Sequence, residues 1–396
     1  MVIRMMFVAL TMIATMIPAT RAMAISWPHG PDIKAKAWVL LDARSGQILA
    51  QHNKDLQLPP ASLTKMMTLY IAFEDIKLGR LKLDEKVQVS KKAWKMGGSR
   101  MFIEPRKHPT VLQLLRGIST DSGNDATVAL AEHIAGSESA FADIMNQKAK
   151  ELGLTHTHYN DSTGFPTANH YSTAHDLALL GAALWRNFPK QYKLFSEKSF
   201  TYNGITQSNR NRLLWSDPDV DGIKTGHTKA AGYCLVSSAQ KGNTRLVSAV
   251  LGTASERARE WQSHILLNYG FRNFTTIRPA EHDIRRRIEV YQGKQDHVWL
   301  LPAHPVWISV PKGYAKQVRF HLKYKAPLRA PIKKGERIGT IEAVLKDGKN
   351  SDMTLASVAM KARSSIPRAS WLGRKWDALK LWWNKSDEEA EASDKQ

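Results

Sequence analysis

Apolar and polar positions follow one period after another along this chain. Residues 37–42 and 47–50 are short apolar runs on either side of Ala43-Arg44-Ser45-Gly46, which predicts a β-hairpin around a glycine turn. Pro59 and Pro60 then lead into a predicted helix running to Phe73, which Leu63, Met66, Met67, Tyr70 and Phe73 would bury. From Leu81 to about Lys198, apolar residues recur every three to four positions in 111–118, 126–134 and 140–152, the texture of a helical subdomain set between strands. Strand texture returns at 220–226, 233–239 and 245–251, and 256–267 reads as a covering helix. The early hairpin and the late strands are expected to share one antiparallel sheet. After about residue 278 the runs shorten to 306–310, 317–324 and 338–345, punctuated by Pro302, Pro305, Pro311 and Pro331, which predicts a small β-rich domain.

The two ends differ from everything between. Arg4, an apolar run from Met5 to Ile17, Pro18 and Ala22-Met23-Ala24 have the layout of a cleaved signal peptide over 1–24. The run falls short of the ~20 apolar residues that cross a bilayer. Near the other end, Trp371, Leu372, Trp376, Leu379, Trp382 and Trp383 gather on one helical arc at ~100° per residue. Arg374, Lys380 and Lys385 lie off that arc, so 366–386 is expected to be an amphipathic helix lying in a membrane interface, followed by an acidic tail over 387–396.

Composition narrows the class. With 43% hydrophobic and 23% charged residues among 396, the chain has enough apolar material for one large domain, expected over 32–275, and a smaller one over 279–365. A lone Cys234 excludes an intramolecular disulfide and a multi-cysteine metal site. The net charge of +21 suits an anionic partner, but export and the absence of nucleic-acid-binding motifs argue against nucleic acid.

Candidate chemistry lies in three places. Ser62 and Lys65 are three residues apart at the start of the predicted helix, which puts a hydroxyl beside an amine on one face. Burial would favour the neutral amine, the only form able to take the serine proton. By itself the pair also fits an ordinary helix start with a solvated lysine. Ser122 and Asn124 sit on a loop between apolar segments, where both also suit helix capping. Lys224-Thr225-Gly226 closes a strand, and the missing side chain of Gly226 is expected to let a ligand backbone lie along the strand edge.

The three pieces, in this order on helix, loop and strand, match the serine β-lactamases and penicillin-binding proteins. Their surroundings, residues 60–68, Ser122-Gly123-Asn124-Asp125-Ala126, 221–228 and 209–215, resemble the D-alanyl-D-alanine carboxypeptidases, low-molecular-mass penicillin-binding proteins. The resemblance covers most of 35–275 and continues loosely beyond. It implies an α/β (α+β) transpeptidase-like domain with an antiparallel sheet and a helical subdomain, then a small all-β domain and the terminal amphipathic helix. It also implies that Ser62 attacks the peptide bond between two terminal D-alanines while Lys65 accepts its proton. The backbone N–H groups of Ser62 and His227 would form the oxyanion hole, Ser122 would pass a proton to the leaving amine, and Asn124 would orient Lys65 and the substrate. Lys224 would add a fixed positive charge for the substrate carboxylate, Thr225, Gly226 and His227 would line the strand side, and Arg259 would be a second carboxylate anchor or simply pair with Glu256 or Glu260.

A β-lactamase shares the nucleophile but, in one class, needs a glutamate after the Ser-x-Asn element to hydrolyse the acyl-enzyme. No glutamate occurs between Glu151 and Glu197. Several relatives carry a histidine before glycine in this loop, where Thr163 stands here. His156 and His158 alternate but lack a clear third metal ligand and are expected to be polar loop residues. The expectation is therefore a cofactor-free, metal-free serine carboxypeptidase acting on peptidoglycan pentapeptides and inhibited by β-lactams. It would be exported to the periplasm and held on the outer face of the inner membrane, with a D,D-endopeptidase or a β-lactam hydrolase as the alternative.

Overall fold

The computed structural model describes residues 27–346 and 352–371, together with 373 and 375–377. The expected leader over 1–24, most of the terminal helix and the acidic tail lie outside the described residues. Strand β1 (Ala37–Asp42) is buried along its whole length and pairs antiparallel with β2 (Ile48–His52), as the hairpin pattern predicts. The chain then turns into α1 (Lys65–Lys77), whose residues from Lys65 to Phe73 are all buried. A helix buried all round is the centre of a domain rather than a cover for one.

Around α1 pack α2 (Lys91–Trp94), α3 (Val111–Arg116), α4 (Asn124–Ala135), α5 (Glu138–Glu151) and α6 (Ala174–Asn187). Ser90, Thr110, Ser137 and Thr173 cap four of these helices through side-chain oxygens, so each start is written locally. A hairpin follows, β3 (Ser199–Tyr202) with β4 (Ile205–Ser208), and after it a short α7 (Leu213–Ser216). Then come β5 (Val220–Thr228), β6 (Gly232–Lys241), β7 (Thr244–Thr253) and α8 (Glu256–Asn273).

The main sheet has the order β2-β1-β7-β6-β5, every described pair in it antiparallel. Alternate strand residues bury two cores: Val39, Leu41, Val236 and Val247 face the helical subdomain, whereas Trp38, Leu40, Leu235 and Val250 face α8. Placing β5 at one edge leaves its outer side free to border a cleft against the start of α1.

A second five-stranded sheet follows, of order β12-β13-β14-β10-β9, built from β9 (Arg286–Glu289), β10 (His297–Pro302), β12 (Val318–Tyr324), β13 (Arg337–Lys346) and β14 (Asp352–Ala362). The two sheets meet where β8 (Phe274–Ile277) pairs with β11 (Ile308–Pro311). Among the described residues no helix is long and apolar enough to cross a membrane.

Candidate active site

Ser62 lies on a 3-10 turn, Ala61–Thr64, rather than in the α-helix that its sequence suggests; α1 starts only at Lys65. Ala61 holds a left-handed φ of 51°, which lifts the serine out of the helical ladder, while Lys65 is fully buried. The lysine Nζ lies 2.7 Å from Ser62 Oγ, 2.7 Å from Asn124 Oδ1 and 3.1 Å from the Thr163 carbonyl. Burial pushes its pKa down to about 7; the carboxylates of Asp161 and Asp125 oppose the shift and Arg210 adds to it.

The loop that carries Ser122 leaves α3 through a π-helical turn, Gly117–Asp121, and Ser122 takes the left-handed φ of 61° at its exit. Asn124 opens α4; its Nδ2 donates to the Gly97 carbonyl at 2.7 Å, which fixes its oxygen on Lys65. Asp125 accepts three successive N–H groups, from Met101, Phe102 and Ile103, and so pins the facing wall of the cleft.

The opposite wall is β5. Lys224 and Thr225 are buried, and Lys224 Nζ donates to the Thr225 carbonyl at 3.1 Å. One expectation changes here. A Cβ on Gly226 would come within 2.9 Å of the Pro60 carbonyl and 3.1 Å of Leu63, so glycine is needed for the close approach of the serine turn. Burial, then Lys65, Arg210 and Arg259, drive the pKa of Lys224 well below the usual lysine range, against Asp121.

Arg259 is buried and donates to the Arg210 carbonyl at 3.2 Å, with Glu256 3.6 Å away at the surface. His227 stacks on Tyr233 with ring centroids 4.0 Å apart. Ser62, Ser122, Asn124, Thr225, Gly226, His227, Arg210 and Arg259 all border one cavity of about 440 Å3. All the predicted residues therefore converge there, Lys65 and Lys224 from beneath.

Sequence reasoning assigned no role to three groups. Arg210 lies in a run of four alternating Asn and Arg residues, in which Asn209 and Asn211 are buried and Asn211 Nδ2 donates to the Gly222 carbonyl of β5 at 3.0 Å. Asp121, directly before Ser122, is buried with one carboxylate oxygen unpartnered, and burial pushes it up to about 7. Asp161 organises the third wall. Burial opposes its ionisation, but His170 and Thr163, with the Gly164 N–H, outweigh that and hold it well below the usual carboxylate range. His156 and His158 bond Thr155 and the Asn169 carbonyl, and among the described residues no group of three or more potential ligands is placed to hold a metal.

Comparison with known proteins settles the family. Residues 23–255 match the family described as D-alanyl-D-alanine carboxypeptidase. The chain belongs to that family. It is thus a serine-type carboxypeptidase, a hydrolase of the penicillin-binding-protein fold. Residues 274–364 match the C-terminal domain of penicillin-binding protein 5. Two Escherichia coli D-alanyl-D-alanine carboxypeptidases, DacA and DacC, are 40% and 41% identical to it, each alignment covering 89% of both chains. Penicillin-binding protein 5 from Haemophilus influenzae superposes with a TM-score of 0.81 at 38% identity, covering 86% of this chain and all of that one. Penicillin-binding protein D2 from Listeria monocytogenes, in its ampicillin-bound form, matches 61% of this chain with a TM-score of 0.57 at 29% identity.

Proposed function

We propose that Ser62 is the nucleophile that removes the terminal D-alanine from peptidoglycan pentapeptides, and that neutral Lys65 is its base. The observation that carries this reading is the triple contact of the lysine amine. Asn124 Oδ1 and the Thr163 carbonyl can only accept, so in the neutral amine they take both N–H groups, and the lone pair is left facing the Ser62 hydroxyl. Proton transfer to Nζ then accompanies attack of Oγ on the D-Ala carbonyl. The carbonyl oxygen develops its charge against the N–H groups of Ser62 and His227, each such donor being worth ~3 kcal/mol. Arg210 and Arg259 hold the substrate carboxylate, assisted by Lys224 and Thr225. Ser122 passes the proton to the leaving amine, and water releases the tetrapeptide from Ser62.

The same serine would be acylated by β-lactams. Mass spectrometry after exposure to penicillin should give one adduct on the wild-type chain and none on Ser62→Ala; an adduct at full stoichiometry on the variant refutes the nucleophile.

The leader over 1–24, the domain limits at 32–275 and 279–365, and attachment to the periplasmic face of the inner membrane through 366–386 belong to the same reading. Trp371 and Trp376, 59% and 62% exposed, support the attachment. Deleting 372–396 should release the protein from neutral vesicles while leaving cleavage of soluble peptide intact.

A further inference from the structure

The charge of this protein is unevenly spread: between Phe274 and Trp371 there are 19 Lys and Arg against 8 Asp and Glu. Part of that excess gathers at the end of the β domain furthest along β10 from the catalytic domain. This pole is built from the turn 290–296, the loop 328–336 and the exit segment 363–371. Backbone bonds of 2.9 Å tie the three together, from Tyr291 to the Leu328 carbonyl, Lys294 to Pro367, Ile332 to Ile366 and Ala369 to Gln292. Ile332 and Ile366 are buried beneath, so the rim is a defined surface.

Lys294, Arg329, Lys333, Lys334, Arg363 and Arg368 stand exposed on it, and none of the six forms an ion pair among the described residues. Trp371 and Trp376 emerge at the same place, with Lys375 4.4 Å above the Trp371 ring. β10 leaves the pole at His297 and runs about 20 Å before the chain enters the joint with the catalytic domain. Among the described residues no backbone hydrogen bond ties the catalytic domain to the pole.

We propose that this pole is a binding surface for anionic phospholipid headgroups, a second membrane contact in addition to the terminal segment. Unpaired cations around exposed indoles fit the headgroup layer, where Lys and Arg meet lipid phosphates and indole lies at the boundary with the acyl chains. A dissolved polyanion would use the cations and leave the indoles in water. The proposal takes the side on which the membrane lies, and the two indoles, from the reading of the terminal segment; the five cations from Lys294 to Arg363 are its own.

The test is sedimentation of the intact protein with vesicles of phosphatidylcholine alone or mixed with phosphatidylglycerol, at low and high salt. The wild-type chain should prefer the anionic vesicles, and salt should erase the preference. Combining Lys294→Glu, Arg329→Glu and Lys334→Glu should lower binding to anionic vesicles about 100-fold, each basic residue being worth about fivefold there. Binding to neutral vesicles and penicillin labelling should not change. Wild-type binding of this variant to anionic vesicles overturns the proposal and leaves the terminal segment's role untouched. A chain lacking 372–396 should keep a salt-sensitive preference for anionic vesicles; loss of that preference overturns the pole. Undiminished binding of the same chain to neutral vesicles overturns the terminal-segment reading alone.

Discussion

A lysine titrating near neutrality beside a serine gives the reaction a defined pH dependence. Lys65 serves as base only when unprotonated, so acylation should be flat above about pH 7 and fall about tenfold per unit below it. Asp161 opposes the downward shift, so Asp161→Asn, which keeps the Oδ1 acceptor for Thr163 and Gly164, should move the acidic limb to lower pH. Asp121 also titrates near 7 but does not act on Lys65, and Asp121→Asn should leave the limb in place. Penicillin acylation rates across pH 5–9 check all three, and a limb that ignores Asp161 would remove Lys65 from the role of base. Lys65→Arg should nearly abolish acylation, because guanidinium stays charged. Ser62 and Lys65 were legible in the sequence because three residues of spacing suffice to bring them together. The partners that tune Lys65 were not, since Asp161 and Arg210 arrive from about 100 and 150 positions away, and no local period links them to it.

Elements with a local signature were read more easily than those held by contact. The helices within 111–152 and the strands at 220–251 follow their hydrophobic periods to within a few residues. The β3–β4 hairpin turns at Asn203-Gly204, both with positive φ, the strongest short hairpin signal there is, yet it is not among the strands that the hydrophobic periods predict. In the second domain β9 is hidden by the run Arg285-Arg286-Arg287, two of which it contains, because an edge strand tolerates a polar run that a buried one does not. The loop at 161–164 has no period at all, and contact alone fixes it. Thr68 Oγ1 donates to the Ser162 carbonyl, Lys65 to the Thr163 carbonyl, and Asp161 accepts from Thr163 and Gly164. Gly164 has a φ of 89°, and a Cβ there would stand 1.8 Å from the Ala61 carbonyl oxygen. Gly164→Ala must therefore push the loop off the serine turn. We expect a loss of about 2–4 kcal/mol in thermal unfolding together with at least tenfold slower acylation. An unchanged rate would mean that this loop only covers Lys65 and does not place it.

On the scale of the molecule, the cleft and the joint between domains lie on different strands of one sheet. β5 carries the catalytic wall, whereas the joint is carried by the turn between β1 and β2 and by the start of β7, where Thr244 Oγ1 accepts from the Thr276 N–H; two to four strand spacings, about 10–19 Å, separate them. At the joint, Ser309 is fully buried: its N–H donates to Gln47 Oε1 at 2.6 Å, its carbonyl accepts from Gln47 Nε2 at 3.2 Å, and its hydroxyl lies 2.9 Å from that of Ser45. Arg44 is stacked between Trp185 of the catalytic domain and Trp307 of the β domain, 5.2 and 4.7 Å from their ring centroids. Such a seam has to be rigid if the β domain is to hold the cleft at a set height above a membrane. Gln47→Ala leaves both backbone groups of Ser309 buried without partners, at about 1–3 kcal/mol each. The melting temperature should fall by roughly 5 °C or more, while the rate of penicillin acylation should stay at its wild-type value because no strand of the catalytic wall touches the seam. If acylation slows in step with the melting temperature, the joint reaches Ser62 through the sheet, and the β domain is part of the catalytic frame rather than its stand.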